Sequence, residues 1–187
     1  LHCFNACLIY LLFKKFLSNR ISFFLSLIFL IHPINVESVA YISAANNILF
    51  SLFGMLALLM STKAKIKSVH LLLVGLLSLL SLLTREIGIG FVFLIVLFQY
   101  IFVRKRVLLF IGIETVALTL YFLLRFVYAG IFYTKEMAIY PIPIAELPLL
   151  QRLENIPSIL FYYFSHIFYP VNFAVGQHWI VTSKTIY

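Results

Sequence analysis

Aspartate is absent from the sequence, and glutamate occurs only six times. Charged residues make up 11% of the 187 residues, against roughly a quarter in an ordinary soluble domain. So few charges cannot cover a water-soluble globule, and that class is set aside. Cysteine is limited to Cys3 and Cys7. Two thiols one helical turn apart are poorly placed for a disulfide and, without neighbouring ligands, make no metal site. They read as small apolar core residues. An initiating methionine is also missing. Leu1 opens directly into an apolar run, without the charged start and small-residue cleavage site of a signal peptide. The sequence is therefore read as a segment whose N-terminal part is absent. The net charge of +8 is no nucleic-acid signature, because the basic residues sit in short clusters between apolar runs.

What the sequence has is apolar length. Hydrophobic residues make up 64% of it, and six or seven stretches approach the roughly 20 residues that cross a bilayer core about 30 Å thick. The runs cover 1–17, 18–33, 36–61, 67–84, 86–103, 107–128 and 155–170. The expected fold is all-α: a polytopic transmembrane helical domain of about six spanning helices plus a short interfacial or re-entrant helix. The whole chain reads as one partial membrane domain, 1–187.

The connections alternate in charge. Counting Lys and Arg, the first five carry 3 (Lys14, Lys15, Arg20), none, 3 (Lys63, Lys65, Lys67), 1 (Arg85) and 3 (Arg104, Lys105, Arg106). The positive-inside rule puts the three basic connections in the cytoplasm. His32, Glu37, Arg85, Glu86 and Arg125 then fall on the opposite, periplasmic or lumenal, face of a bacterial inner membrane or endoplasmic reticulum. Pro33 stops or kinks the second run. Pro141, Pro143 and Pro148 break the polar segment 129–154 into an outer loop, and Pro157 suits the first turn of the last helix.

Ionisable groups in or at the edge of a membrane are costly, so each is a functional candidate. Glu37 begins the long run 36–61, where it is either a first-turn carboxylate favoured by the helix dipole or an acid facing an external cavity beside His32. Arg85 and Glu86 form either an interfacial capping pair or an anion site, in which Arg85 binds phosphate. Arg125 has the same two readings, and Lys135 is a weaker version. Glu114 lies within its helix and needs a partner, as an interhelical contact or a neutral carboxyl. Glu136, Glu146 and Glu154 read as solvated. Asn46 and Asn47 lie about 15 Å down the helix that Glu37 begins, with Asn47 about 80° from its face. Their amides belong in helix packing. Tyr162, Tyr163, His166, Tyr169 and Trp179 read as an interfacial aromatic belt or the lining of a lipid or sugar site.

The stretch His32-Pro33-Ile34-Asn35-Val36-Glu37-Ser38-Val39-Ala40, continuing through Leu49, resembles the HP-x-x-x-E-x-V-A segment of the membrane O-mannosyltransferase-like proteins that carry tetratricopeptide repeats, of the GT-C glycosyltransferase superfamily. Where those proteins often carry Arg and then Asp or Asn, this chain has Ala45 and Asn47. Leu83-Thr84-Arg85-Glu86-Ile87-Gly88 is similar to the family's L-[ST]-[KR]-E-x-[GA] segment. Tyr121 to Arg125, Arg152 to Pro170 and Phe173 to His178 fit the family in turn, and the opening His2-Cys3-Phe4-Asn5-Ala6 resembles its second transmembrane helix. The resemblance implies a glycosyltransferase that moves a mannose-like sugar from a polyprenyl-phosphate donor to a protein hydroxyl or surface glycan. It implies Glu37 and His32 as catalytic, Arg85 and Arg125 as donor-phosphate ligands, and Glu86, Asn47 and His178 in support. Glu37 and His32 are also candidate holders of a divalent cation, Mg or Mn. The family's main catalytic acid lies in a first external loop, and its repeats follow the membrane part; both fall outside these residues. A transporter or flippase segment for a lipid-linked or anionic solute is the alternative, and a membrane scaffold without chemistry the third reading.

Overall fold

The computed structural model describes residues 1–41, 44–63, 67–104, 106–130 and 148–169. Every element among them is helical. Two compact units divide the chain, Leu1–Ile131 and Phe132–Tyr187.

In the first unit α1 is His2–Phe13, α2 Asn19–Ile31 and, after a 3-10 turn at Pro33–Asn35, α3 Val36–Ala40. Next come α4 (Ala45–Ser61) and α5 (Ser68–Thr84), then a 3-10 turn at Glu86–Gly88 that leads into α6 (Ile89–Phe98). A π-helical extension, Gln99–Val103, continues α6; α7 is Val107–Phe122 and ends in a π-helical turn, Leu123–Tyr128. In the second unit α8 is Leu149–Phe168.

Two stretches are long and apolar enough to cross a membrane, Glu86–Val103 and Val107–Tyr128. They become three if Asn19–Ile31 and Pro33–Ala40, bent by 48°, count as one span. The helices α1, α4 and α5 are apolar but shorter, so fewer spans pass on length and composition than the six expected.

Large apolar side chains point outward along these helices. Leu108 is 85% exposed and Leu72 71%, as suits a surface whose solvent is lipid rather than water. The interior is built differently. One apolar core joins Ala57, Leu58, Val74, Ile95 and Phe110 from α4, α5, α6 and α7. Polar side chains supplement it. Asn5 Nδ2 donates to the Ile48 carbonyl at 3.0 Å, tying α1 to α4. Ser81 Oγ donates to the Phe50 carbonyl at 2.8 Å, tying α5 to α4. Gln99 Nε2 donates to the Ser61 carbonyl at 2.8 Å, and Ser78 Oγ donates to Glu114 Oε1 at 3.0 Å. Where the solvent is lipid, helices have no hydrophobic reason to pair, and such bonds and close packing are what hold them together.

Close packing is tightest at Gly54. A Cβ there would collide with the Phe91 ring of α6. Gly54→Ala is expected to cost about 1–3 kcal/mol through overpacking, read as a lower melting temperature in detergent. Adding Phe91→Leu should recover part of the loss. An unchanged melting temperature in Gly54→Ala would contradict this packing.

Three further expectations need correction. The run 36–61 is not one helix. Tyr41 is extended (φ −94°, ψ 120°), so Glu37 sits in the five-residue α3 and the two asparagines in α4. The calculated 15 Å and 80° relation between Glu37 and Asn47 therefore fails. The last helix begins at Leu149 rather than 155, which puts Pro157 in its interior rather than its first turn. Cys3 and Cys7 are exposed, because α1 buries Asn5, Ala6 and Ile9 instead. Most of the outer loop 129–154, with Lys135, Glu136 and Glu146, lies outside the described residues, as do Trp179 and His178.

Candidate functional site

The two ends of the first unit differ in charge. At one end the basic connections meet. Lys15 Nζ donates to Thr62 Oγ1, and Arg106 Nη1 donates to the Lys63 carbonyl at 3.4 Å. The C-terminus of α2, the N-terminus of α4, the C-terminus of α5 and the start of the α6 span lie at the other end. His2 near Leu30, Asn5 at Ile48 and Ser81 at Phe50 fix this register. His32, Glu37, Asn47, Arg85, Glu86 and Arg125 all fall at that second end, whereas Glu114 lies inside α7.

They form two groups. In the first, His32 is extended (φ −65°, ψ 127°), as a residue before proline must be, and its Nδ1 accepts from the Ile34 amide at 3.2 Å. That bond caps the 3-10 turn. Asn35 Nδ2 donates to the Phe29 carbonyl at 2.8 Å and folds the turn back on α2. Glu37 occupies the first turn of α3 and is exposed. Among the described residues its carboxylate takes part in no hydrogen bond or ion pair. The adjacent Ser38 Oγ accepts from Asn47 Nδ2 at 3.3 Å, which fastens α3 to the start of α4. Asn47 thus supports the Glu37 turn, through Ser38, although its own helix is a different one.

The second group centres on the Glu86–Gly88 turn. Arg85 is extended (φ −158°, ψ 140°) and half-buried, and it swings the chain from α5 into the turn. Glu86 Oε1 pairs with Arg125 Nη2, and Arg125 Nη1 donates to Tyr121 Oη at 2.9 Å. The Arg125 guanidinium also lies 5.8 Å from the Tyr121 ring centroid and 5.9 Å from that of Phe126. Arg125 is therefore held and largely neutralised by an acid 39 positions away in sequence. Arg85 is not. Among the described residues its side chain takes part in no hydrogen bond or ion pair. The three side chains sum to one positive charge, and Arg85 carries it.

Both groups rest on the first two turns of α4. Asn47 holds the first group. Phe50, one turn on, accepts from Ser81, and Gly88 of the second group seats directly against Ser81. The structure places His32 beside the Glu37 turn and joins Glu86 to Arg125; among the described residues no hydrogen bond or ion pair joins Glu37 or Asn47 to Arg85, Glu86 or Arg125. Nor do the described residues gather three His, Cys, Asp or Glu side chains to hold a metal ion. No step is assigned to a metal ion.

The residues that sequence reasoning missed are amides and glycines. Asn5 and Gln99 are fully buried. A lone amide in an apolar run must find a partner on another helix, so the signal was there. Gly88 gave no comparable signal. Its importance lies in a close approach to a residue seven positions back.

No protein-family model, no curated protein and no solved structure matches this chain.

Proposed function

We propose that this chain forms part of the membrane domain of a glycosyltransferase that moves a mannose-like sugar from a polyprenyl-phosphate carrier to a protein hydroxyl or surface glycan on the non-cytoplasmic face. The single observation that carries the reading is the Arg85 guanidinium, unpaired among the described residues, beside the Glu86–Arg125 pair and at the end away from the basic connections. The motif resemblance supplies the chemistry.

In this proposal the acceptor hydroxyl oxygen bonds to the anomeric carbon. The bond from that carbon to the phosphate oxygen breaks, and its electron pair leaves with the polyprenyl phosphate. Arg85 stabilises the departing charge, which a water-poor site makes more effective. Glu37, on a turn that His32 caps, accepts a hydrogen bond from the acceptor hydroxyl and orients it, and the hydroxyl proton passes to the acid that the resemblance places in the first external loop. Arg125 positions Glu86 rather than binding phosphate itself. The proposal keeps six spans. The 17-residue helices α4 and α5 reach about 25 Å at 1.5 Å per residue and cross with local thinning. The amphipathic α8, which does not pass as a span, lies at the interface. A transporter draws on a different observation, the buried Glu114 bonded to Ser78 inside the bundle.

Protein from the complete gene, assayed with a polyprenyl-phosphate sugar, tests the reading. Glu37→Gln is expected to raise the acceptor KM about tenfold, the scale of one hydrogen bond to a charged group. Unchanged kinetics in both Glu37→Gln and Arg85→Ala would remove the site assignment. Transport of the lipid-linked substrate without transfer would favour the alternative.

A further inference from the structure

Basic side chains gather at one end of the first unit. Lys15 donates to Thr62, next in sequence to Lys63, and Arg106 donates to the Lys63 carbonyl. Burial first, and then the Lys63 charge, holds the Lys15 ammonium below the ordinary lysine range. The described acids of this unit are elsewhere: Glu37 and Glu86 at the opposite end, Glu114 inside α7. Arg104 joins this end in an uncommon backbone conformation, the only described non-glycine residue with positive φ (49°), and its amide closes the π-turn on the Gln99 carbonyl at 2.7 Å. A strained arginine at the rim is a reason to look for a ligand.

Directly beneath runs an apolar groove of about 190 Å³, lined by Leu12, Phe16, Leu94, Leu97, Phe98 and Phe102 among others. Phe16 follows Lys15 in sequence, and Phe102 lies two residues before Arg104. Their rings meet at 5.3 Å between centroids, and Phe98 stacks on Phe102 at 5.0 Å. Cations thus border an aromatic-walled trough.

We propose that this end holds one anionic phospholipid, its phosphate among Lys15, Lys63 and Arg104 and an acyl chain in the Phe16–Phe98–Phe102 groove. The charge complementarity argues for an anionic headgroup, and the groove for a molecule that carries a chain. The inference does not depend on the sugar-transfer reading.

The test extracts the protein from vesicles of phosphatidylcholine and phosphatidylglycerol and weighs the retained lipid by native mass spectrometry. Phosphatidylglycerol is expected to be retained in preference. Lys15→Gln and Lys63→Gln should each lower the preference roughly fivefold, the worth of one cation near a charged leaflet. Phe16→Ala should shorten retention with the cations in place. Equal retention of the two lipids, or a preference that survives both lysine substitutions, overturns the proposal. Displacement of phosphatidylglycerol by inorganic phosphate overturns the lipid assignment in favour of a free-anion site. If the variants do not fold, wild-type preference must fall as salt is raised, and a salt-insensitive preference overturns the proposal equally.

Discussion

Arg85→Ala is expected to lower sugar transfer by roughly 10²–10³-fold, the scale of removing one fixed donor from a developing oxyanion. The size follows from the charge count at the Glu86–Gly88 turn. Glu86 takes up the Arg125 charge, so Arg85 supplies the net cation. Arg85→Lys should recover only part of the rate, because a point ammonium cannot match two phosphate oxygens as a planar fork does. Arg125→Ala should act differently. It frees Glu86 to pair with Arg85 and so weakens the site indirectly; Glu86→Gln in the same chain should restore part of the loss. Initial rates at saturating donor read both effects. A fall of less than threefold in Arg85→Ala would remove phosphate binding from this residue.

The second large effect is expected from a residue with no functional group. A Cβ at Gly88 would lie 2.8 Å from the Ser81 backbone carbon and carbonyl oxygen and equally close to Ser81 Oγ. Backbone cannot swing aside as a side-chain tip can. Gly88→Val should therefore lift the Glu86–Gly88 turn off α5 and part Glu86 from Arg125. We expect a loss of transfer comparable to that of Arg85→Ala, with a stability cost of about 1–3 kcal/mol. Ser81→Gly should not rescue it, because the carbonyl remains and the Ser81 bond to Phe50 is lost. Full activity in Gly88→Val would show that the turn does not position the site.

The sequence revealed the features that are local. Each basic cluster can be read where it stands, and the structure brings Lys15, Thr62, Lys63 and Arg106 to one end as the alternation requires. His32 before Pro33 announced a turn, and the turn is there. The end of α3 at the extended Tyr41 was not legible. The stretch carries no proline or glycine, and the extended Tyr41 reflects how α3 folds against α4 through Asn47 and Ser38. Pairings across the chain were hidden for the same reason. Glu86 with Arg125, Ser78 with Glu114 and Gln99 with Ser61 arise from which helices pack together, which no local pattern encodes. Pro157 misled because proline favours a first turn but does not forbid an interior position, and α8 starts eight residues before it.

The central claim is that the bundle has two chemically distinct ends on opposite sides of a membrane. Single-cysteine labelling tests it most directly. In a background of Cys3→Ala and Cys7→Ala, Ile87→Cys and Lys63→Cys place a thiol at exposed positions of the two ends. The account predicts that a membrane-impermeant maleimide labels the Ile87→Cys protein in sealed, right-side-out cells and the Lys63→Cys protein only in inverted vesicles. Labelling of both from the same side would contradict it.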